Sequence, residues 1–198
     1  MSKWQFSTPG IPDEHFVRLK GVPMTKEEVR AITISKLQLF PEAIVYDIGA
    51  GSGSVAVECA IFCPAGKIFA VEREELALEI IHKNVNRFEL QNIEFILGVA
   101  PGAMADLPPA HRIFIGGSNG NLEGILMKAQ EKLLPGGRLV VNSVTLETGP
   151  KAVDFMEKHN FTAIEVTSVN IAKAGARGGI RLWQSKNPVQ IVSGTKEE

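Results

Sequence analysis

From Ala43 onward the chain alternates short apolar runs with longer segments of helical periodicity, and few architectures accept that alternation. AIVYDIG, KIFAVE, IEFILG, RIFIGG and GRLVVNSV are short, rich in β-branched or aromatic residues, and bounded by turn residues. GSVAVECAIF, EELALEIIHKNVNRF and LEGILMKAQEKLL lie between them, each long enough for about three helical turns. Strands that alternate with helices predict an α/β fold in three layers, a mostly parallel sheet covered on both faces. After the KAVDFMEKHN helix, FTAIEVTSVNIA and GGIRLWQSKNPVQIV are separated only by a short glycine-rich break. That spacing favours a C-terminal antiparallel hairpin over another crossover.

Before the alternation, prolines at 9, 12 and 23 and glycines at 10 and 21 mark an irregular arm over 1–24. TKEEVRAITISKLQLF follows, with Thr25 three residues before Glu28 as in a capping box, and predicts an amphipathic helix ending before Pro41. The 198 residues make one domain, expected over 25–192, with a frayed tail over 193–198.

A net charge of −1 offers no basic excess for phosphate neutralisation, so a nucleic-acid partner is not expected. Cys59 and Cys63, four apart on a helical stretch without clustered histidines, read as small apolar residues rather than a metal site or a disulfide. No apolar run is long enough for a membrane span, and MSKWQFSTPGIPDEHF is too polar for a signal peptide, so the cytoplasm is the expected location.

The stretch VYDIGAGSGS carries the chemistry. It leaves a strand and enters a helix, with Gly49, Gly51 and Gly53 spaced G-x-G-x-G and Glu72 at the end of the next strand. A dinucleotide fingerprint is spaced G-x-G-x-x-G and turns a helix N-terminus toward a pyrophosphate; here Ser54 occupies the third-glycine position. Asp47, just before the glycines, suits an ammonium better than a diphosphate. Glu72 suits the two hydroxyls of a ribose. S-adenosylmethionine has both groups and no phosphate, so a methyl donor is the favoured ligand and a dinucleotide the alternative.

With these features the chain resembles class I S-adenosylmethionine-dependent methyltransferases. The resemblance implies their Rossmann-like fold, a seven-stranded sheet closed by a reversed C-terminal hairpin, over about residues 25–192; LLPGGRLVVNSV at 133–144 is similar to that family's turn and fifth strand. After the fourth strand, amine-methylating members carry an N/D-P-P-Y/F box; this chain has IFIGGSNGNL, a glycine pair before Ser118 and Asn119. Either of these two residues would also serve as the N-cap of the following helix.

PMTKEEVR, GVAPGA, FIGGSNG, VNSVTLET, NIAKAGARGG and SKNPV together resemble one narrower family, the decarboxylating cobalt-precorrin-6B C-15 methyltransferases, equivalent to the C-terminal half of precorrin-6Y C-5,15-methyltransferases. The resemblance implies methyl transfer to C-15 of a precorrin or cobalt-precorrin in cobalamin biosynthesis, with decarboxylation of the ring-C acetate. It implies donor contacts from Thr25, Gly49, Ala50, Gly51, Ser52, Gly53, Glu72 and Ala100, besides Asp47. It also implies a homotetramer and a separate C-5 methyltransferase acting nearby. Relatives often have aspartate at 72 and an acidic residue at 99, where this chain has Glu72 and Val99.

A macrocycle carbon is already electron-rich, so no strong catalytic base is expected, and His15, His82, His111 and His159 are scattered. Ser118, Asn119 and Asn142 are the polar groups expected beside the reacting ring, and Arg177 the expected partner of a substrate carboxylate, with Lys173, Arg18, Lys20 and Arg181 as further cations. The rival readings are a methyltransferase for another small molecule or a tRNA base, a donor-binding sensor without catalysis, and an oxidoreductase.

Overall fold

The computed structural model describes residues 4–197. Its centre is a seven-stranded sheet made of β1 (Ile44–Ile48), β2 (Lys67–Glu72), β3 (Ile93–Leu97), β4 (Ala110–Ile115), β5 (Leu133–Ser143), β6 (Phe161–Val169) and β9 (Val189–Lys196). The strand order is β3-β2-β1-β4-β5-β9-β6, while β7 (Ala172–Arg177) and β8 (Ile180–Ser185) pair with each other in a separate ribbon. The first five strands are parallel, and β9 runs antiparallel to both β5 and β6.

Both faces of the sheet are covered, which is why its strands read as nearly continuous apolar runs. Val45, Ile68, Phe114, Val140 and Ile191 point to the layer of α1 (Glu27–Leu37), α2 (Ser54–Phe62) and α3 (Glu75–Arg87). Tyr46, Ile48, Val71, Ile113, Ile115, Val141 and Val192 point to α4 (Leu122–Lys132) and α5 (Thr148–Lys158). The period-two alternation of buried side chains thus feeds two cores, one on each side. Cys59 and Cys63 are free thiols buried in the first of them, and burial raises both pKa values, that of Cys63 to about 11.

The arm is irregular but packed. Ile11 and Phe16 are buried, and the fully buried Glu58 on α2 accepts hydrogen bonds from Gly10 N and Ile11 N, both at 2.9 Å. Arg30 on α1 completes the arrangement: its Nε lies 2.6 Å from Glu58 Oε1 with neither side chain exposed. Its remaining nitrogens donate to the carbonyls of Thr25 and Ile11, and its guanidinium lies 4.6 Å from the Phe16 ring centroid.

Three sequence expectations change. The capping box does not form, because α1 begins at Glu27 with Lys26 as an uncapped N-cap; Glu27 and Glu28 pair instead with Lys173 of β7. The expected C-terminal antiparallel hairpin forms between β6 and β9, but the supposed glycine-rich break is itself the strand β7, which pairs with β8 as an inserted ribbon. Pro188, which cannot donate to a ladder, separates β8 from β9. Residues 193–196, expected in the frayed tail, belong to β9. Ser193 is buried against Arg138 (3.0 Å), and Lys196 Nζ donates to the carbonyls of Gln130 and Leu133, satisfying the C-terminal end of α4 (2.8 and 2.7 Å). Among the described residues, no helix is long and apolar enough to cross a membrane.

Candidate functional site

The strand order reverses between β1 and β4, and the carboxyl ends of strands at such a point leave a crevice. A cavity of about 530 Å³ occupies it, with Gly49, Gly51, Glu72, Ala100, Ser118 and Asn119 among its lining residues. The loop after β1 is held open by its own backbone. Gly49 N and Ala50 N both donate to Val71 O (3.0 and 3.1 Å), and Ser52 N donates to Pro23 O (2.9 Å). Gly51 has φ +56°, and a Cβ there would stand 2.6 Å from Pro23 O; a Cβ on Gly49 would meet the backbone of Gly117 at 2.8 Å. Only glycine allows the arm on one side and the β4 loop on the other to approach so closely.

Glu72 closes the floor. Its Oε2 accepts from Gly51 N at 2.8 Å, and its Oε1 accepts from Arg73 N and Glu74 N at 2.8 and 3.1 Å. A carboxylate has about four acceptor positions, so three are used and about one remains for a ligand hydroxyl. The extra methylene of glutamate is what lets one carboxylate reach across to the glycine loop while staying bonded to its own strand end.

Asp47 does not line the cavity. It is 1% exposed, and its Oδ2 accepts from Ala56 N in the first turn of α2 at 2.8 Å. Burial raises its pKa to about 7, with the Ala56 hydrogen bond opposing and the Glu72 charge adding. Its Oδ1 has no partner, nor does Ser52 Oγ, both enclosed by the loop. The expectation that Asp47 meets a ligand ammonium therefore gives way to a role in shaping the loop. The same contact removes an α2 amide that a phosphate would need. The cavity's cations are Lys20 and Arg73, the latter paired with Glu74 at 3.1 Å, and two carboxylates line the same space. That charge pattern suits a neutral diol and an ammonium better than a diphosphate.

Thr25, Ala50, Ser52 and Gly53 also stay outside the lining. Thr25 precedes α1 and its carbonyl is turned to Arg30, while Ala50, Ser52 and Gly53 form the back of the loop. Sequence reasoning missed the wall Gly21–Pro23, and Arg73, Leu76 and Gly98 around the strand ends. Position just after β2 and β3 would have pointed to the last three; nothing local marks the arm.

A second cavity, about 390 Å³, lies on the other side of the β4 loop, and Gly116, Gly117, Ser118 and Asn119 line both. Neither Ser118 nor Asn119 caps α4, whose N-cap is Asn121. Asn142 lines the second cavity, yet its amide is engaged with Thr33 of α1 at 3.0 and 3.2 Å, a contact 109 residues away in sequence. Lys173 is held by Glu27 and Glu28, and neither Arg18 nor Arg181 lines either cavity. The Arg177 side chain lies outside the described residues.

Two adjoining cavities thus share the β4 loop as a wall beside the glycine loop. A family model described as a precorrin methyltransferase domain matches residues 17–196. A Sulfurisphaera tokodaii protein named "Probable cobalt-precorrin-6B C(15)-methyltransferase (decarboxylating)" is 41% identical over 95% of this chain and 98% of its own. The crystal structure of precorrin-6y C5,15-methyltransferase from Geobacter metallireducens superposes with a TM-score of 0.90 at 41% identity, covering 97% of this chain and 100% of that one. A Methanobacterium thermoautotrophicum structure described as a precorrin 8w decarboxylase gives 0.87 at 30% identity, covering 93% and 98%. With the glycine loop, the strand order and the paired cavities all in place, this chain belongs to the precorrin methyltransferase family.

Proposed function

We propose that this protein transfers a methyl group to C-15 of a precorrin or cobalt-precorrin and releases the ring-C acetate carboxyl as carbon dioxide, in corrin-ring assembly. The observation that carries the proposal is the pair of adjoining cavities with Gly116–Asn119 as their common wall, in a chain whose 41%-identical relative is named for both halves of that reaction.

S-adenosylmethionine, when bound, supplies an electrophilic methyl group. Gly49 and Gly51 give it a floor free of side chains, the remaining acceptor position of Glu72 takes a ribose hydroxyl, and Leu76, Val99 and Ala100 offer apolar wall for the base. Ser118 and Asn119, at the junction of the cavities, orient the acceptor carbon toward the methyl group and exclude water from the gap. No general base is needed for a carbon conjugated to the macrocycle. In the decarboxylation, the bond from the acetate carbon to its carboxyl breaks, the electron pair delocalises into the macrocycle, and a proton later takes its place. A poorly solvated carboxylate loses carbon dioxide more readily, and Val144, Val141 and Leu122 give the second cavity apolar wall against which such a group would lie.

Incubation with methyl-labelled donor and cobalt-precorrin-6B should give incorporation of label and release of carbon dioxide in equal amounts. Label without carbon dioxide, or neither product while S-adenosylhomocysteine still binds, would overturn the assignment.

We also place the enzyme in the cytoplasm as a homotetramer that works beside a separate C-5 methyltransferase. The arm buries Ile11 and Phe16 against its own chain. The β7–β8 ribbon is the better contact surface: Ile180, Leu182 and Trp183 are exposed on it, Trp183 by 78%. Light scattering should report a tetramer, and Trp183→Glu should dissociate it; a monomeric parent would remove the proposal.

A further inference from the structure

Among the described residues the second cavity has one cation, and it stands where helix electrostatics opposes it. Among the described residues lining it Lys151 alone is basic. It is the fourth residue of α5, which begins at Thr148, so its ammonium sits beside the positive end of the helix dipole, a position that favours anions and disfavours lysine. No described carboxylate forms an ion pair with it: Asp154, one turn on, is held by Lys158 at 2.7 Å, and Glu147 lines the same cavity unpaired. Exposed, without an ion-pair partner among the described residues and lining the cavity, this ammonium is free to meet an anion from outside.

Its surroundings suit a large, flat polyanion. Val144, exposed by 76%, lines the cavity from the loop after β5, with Thr145 and Thr148 on the same side, and Leu146, exposed by 87%, stands two residues further along that loop. The loop is fixed by Ser143 Oγ donating to Thr145 O (2.7 Å) and by the Thr145–Thr148 hydroxyl contact (3.0 Å). An apolar shelf next to a single ammonium matches the face of a macrocycle with carboxylates at its edge. We infer that Lys151 anchors a peripheral carboxylate of the acceptor and that Val144 and Leu146 support its ring, so that the substrate is held from α5. This rests on the tetrapyrrole reading above. Lys151 holds a carboxylate other than the departing one, since a fixed ammonium on that group would retain it.

The test separates the two claims. Uroporphyrin, a fluorescent tetrapyrrole octacarboxylate, is titrated into the full-length protein, and S-adenosylhomocysteine is titrated separately by calorimetry. Lys151→Ala should weaken uroporphyrin about fivefold and Lys151→Glu by about 20-fold or more, Lys151→Arg should retain it, and the nucleoside affinity should not change in any variant. Relief of the unfavourable dipole contact should leave the melting temperature of Lys151→Ala equal or higher, which excludes unfolding as the cause. Uroporphyrin binding that is equal in all variants, or absent from the parent, overturns the role of Lys151. Failure of S-adenosylhomocysteine to bind overturns the donor reading instead.

Discussion

Glu72→Ala is expected to weaken S-adenosylhomocysteine binding by roughly 10- to 100-fold, the range for losing hydrogen bonds to a charged acceptor. Two losses add. The ligand hydroxyl loses its acceptor, and Gly51 N, Arg73 N and Glu74 N lose the carboxylate that fixes the loop against the end of β2. Glu72→Gln should fail almost as badly, because its NH2 must face one of two sets of backbone donors. Glu72→Asp should fall between, being a methylene too short to bridge from Arg73 N to Gly51 N. Calorimetry reads all three, and affinities within twofold of the parent for both Ala and Gln would show that the carboxylate does not serve the ligand.

A second large effect belongs to the pair beneath the arm. Glu58→Ala should cost about 3–5 kcal/mol, since it leaves a fully buried guanidinium with only the more distant Asp13 carboxylate, at 3.4 Å, as its counter-charge. For a domain of this size that is a fall of about 6–20 °C in melting temperature. Replacing both partners with apolar residues, as in Arg30→Met with Glu58→Leu, should recover only part of the loss, because Gly10 N and Ile11 N keep no acceptor. The same variants should bind S-adenosylhomocysteine more weakly: the arm supplies Pro23 O to the glycine loop and Gly21–Pro23 to the cavity wall. Thermal melts and calorimetry together decide it. A loss below about 1 kcal/mol in Glu58→Ala would mean that water reaches the site and the burial is not maintained.

The parts of this molecule that sequence made legible are those whose causes are local. Each parallel strand announced itself through a run buried on both faces, and the glycine spacing after β1 together with the acid ending β2 located the crevice. What stayed hidden depends on partners far away. Thr25 and Glu28 have the spacing of a cap, but Arg30 draws the Thr25 carbonyl and Lys173, on a ribbon 146 residues from Glu27, draws the acids. Asn142 looked available because nothing nearby in sequence competes for its amide, and Thr33 takes it. The short SGTK stretch carries too little apolar character to read as a strand, yet β5 and β6 bond it from both sides. Lys151 was overlooked because its meaning comes from the cavity it lines and not from its neighbours along α5.

The position of β9 also constrains how the molecule can be made. Residues 189–196 follow every other element in the chain and nevertheless fill an inner slot of the sheet, between β5 and β6. Until they leave the ribosome, both flanking strands present open edges able to recruit each other or a neighbouring nascent chain. Completion of the sheet therefore waits for β9, and the facing edges of β5 and β6 stay open to wrong partners until it pairs with both.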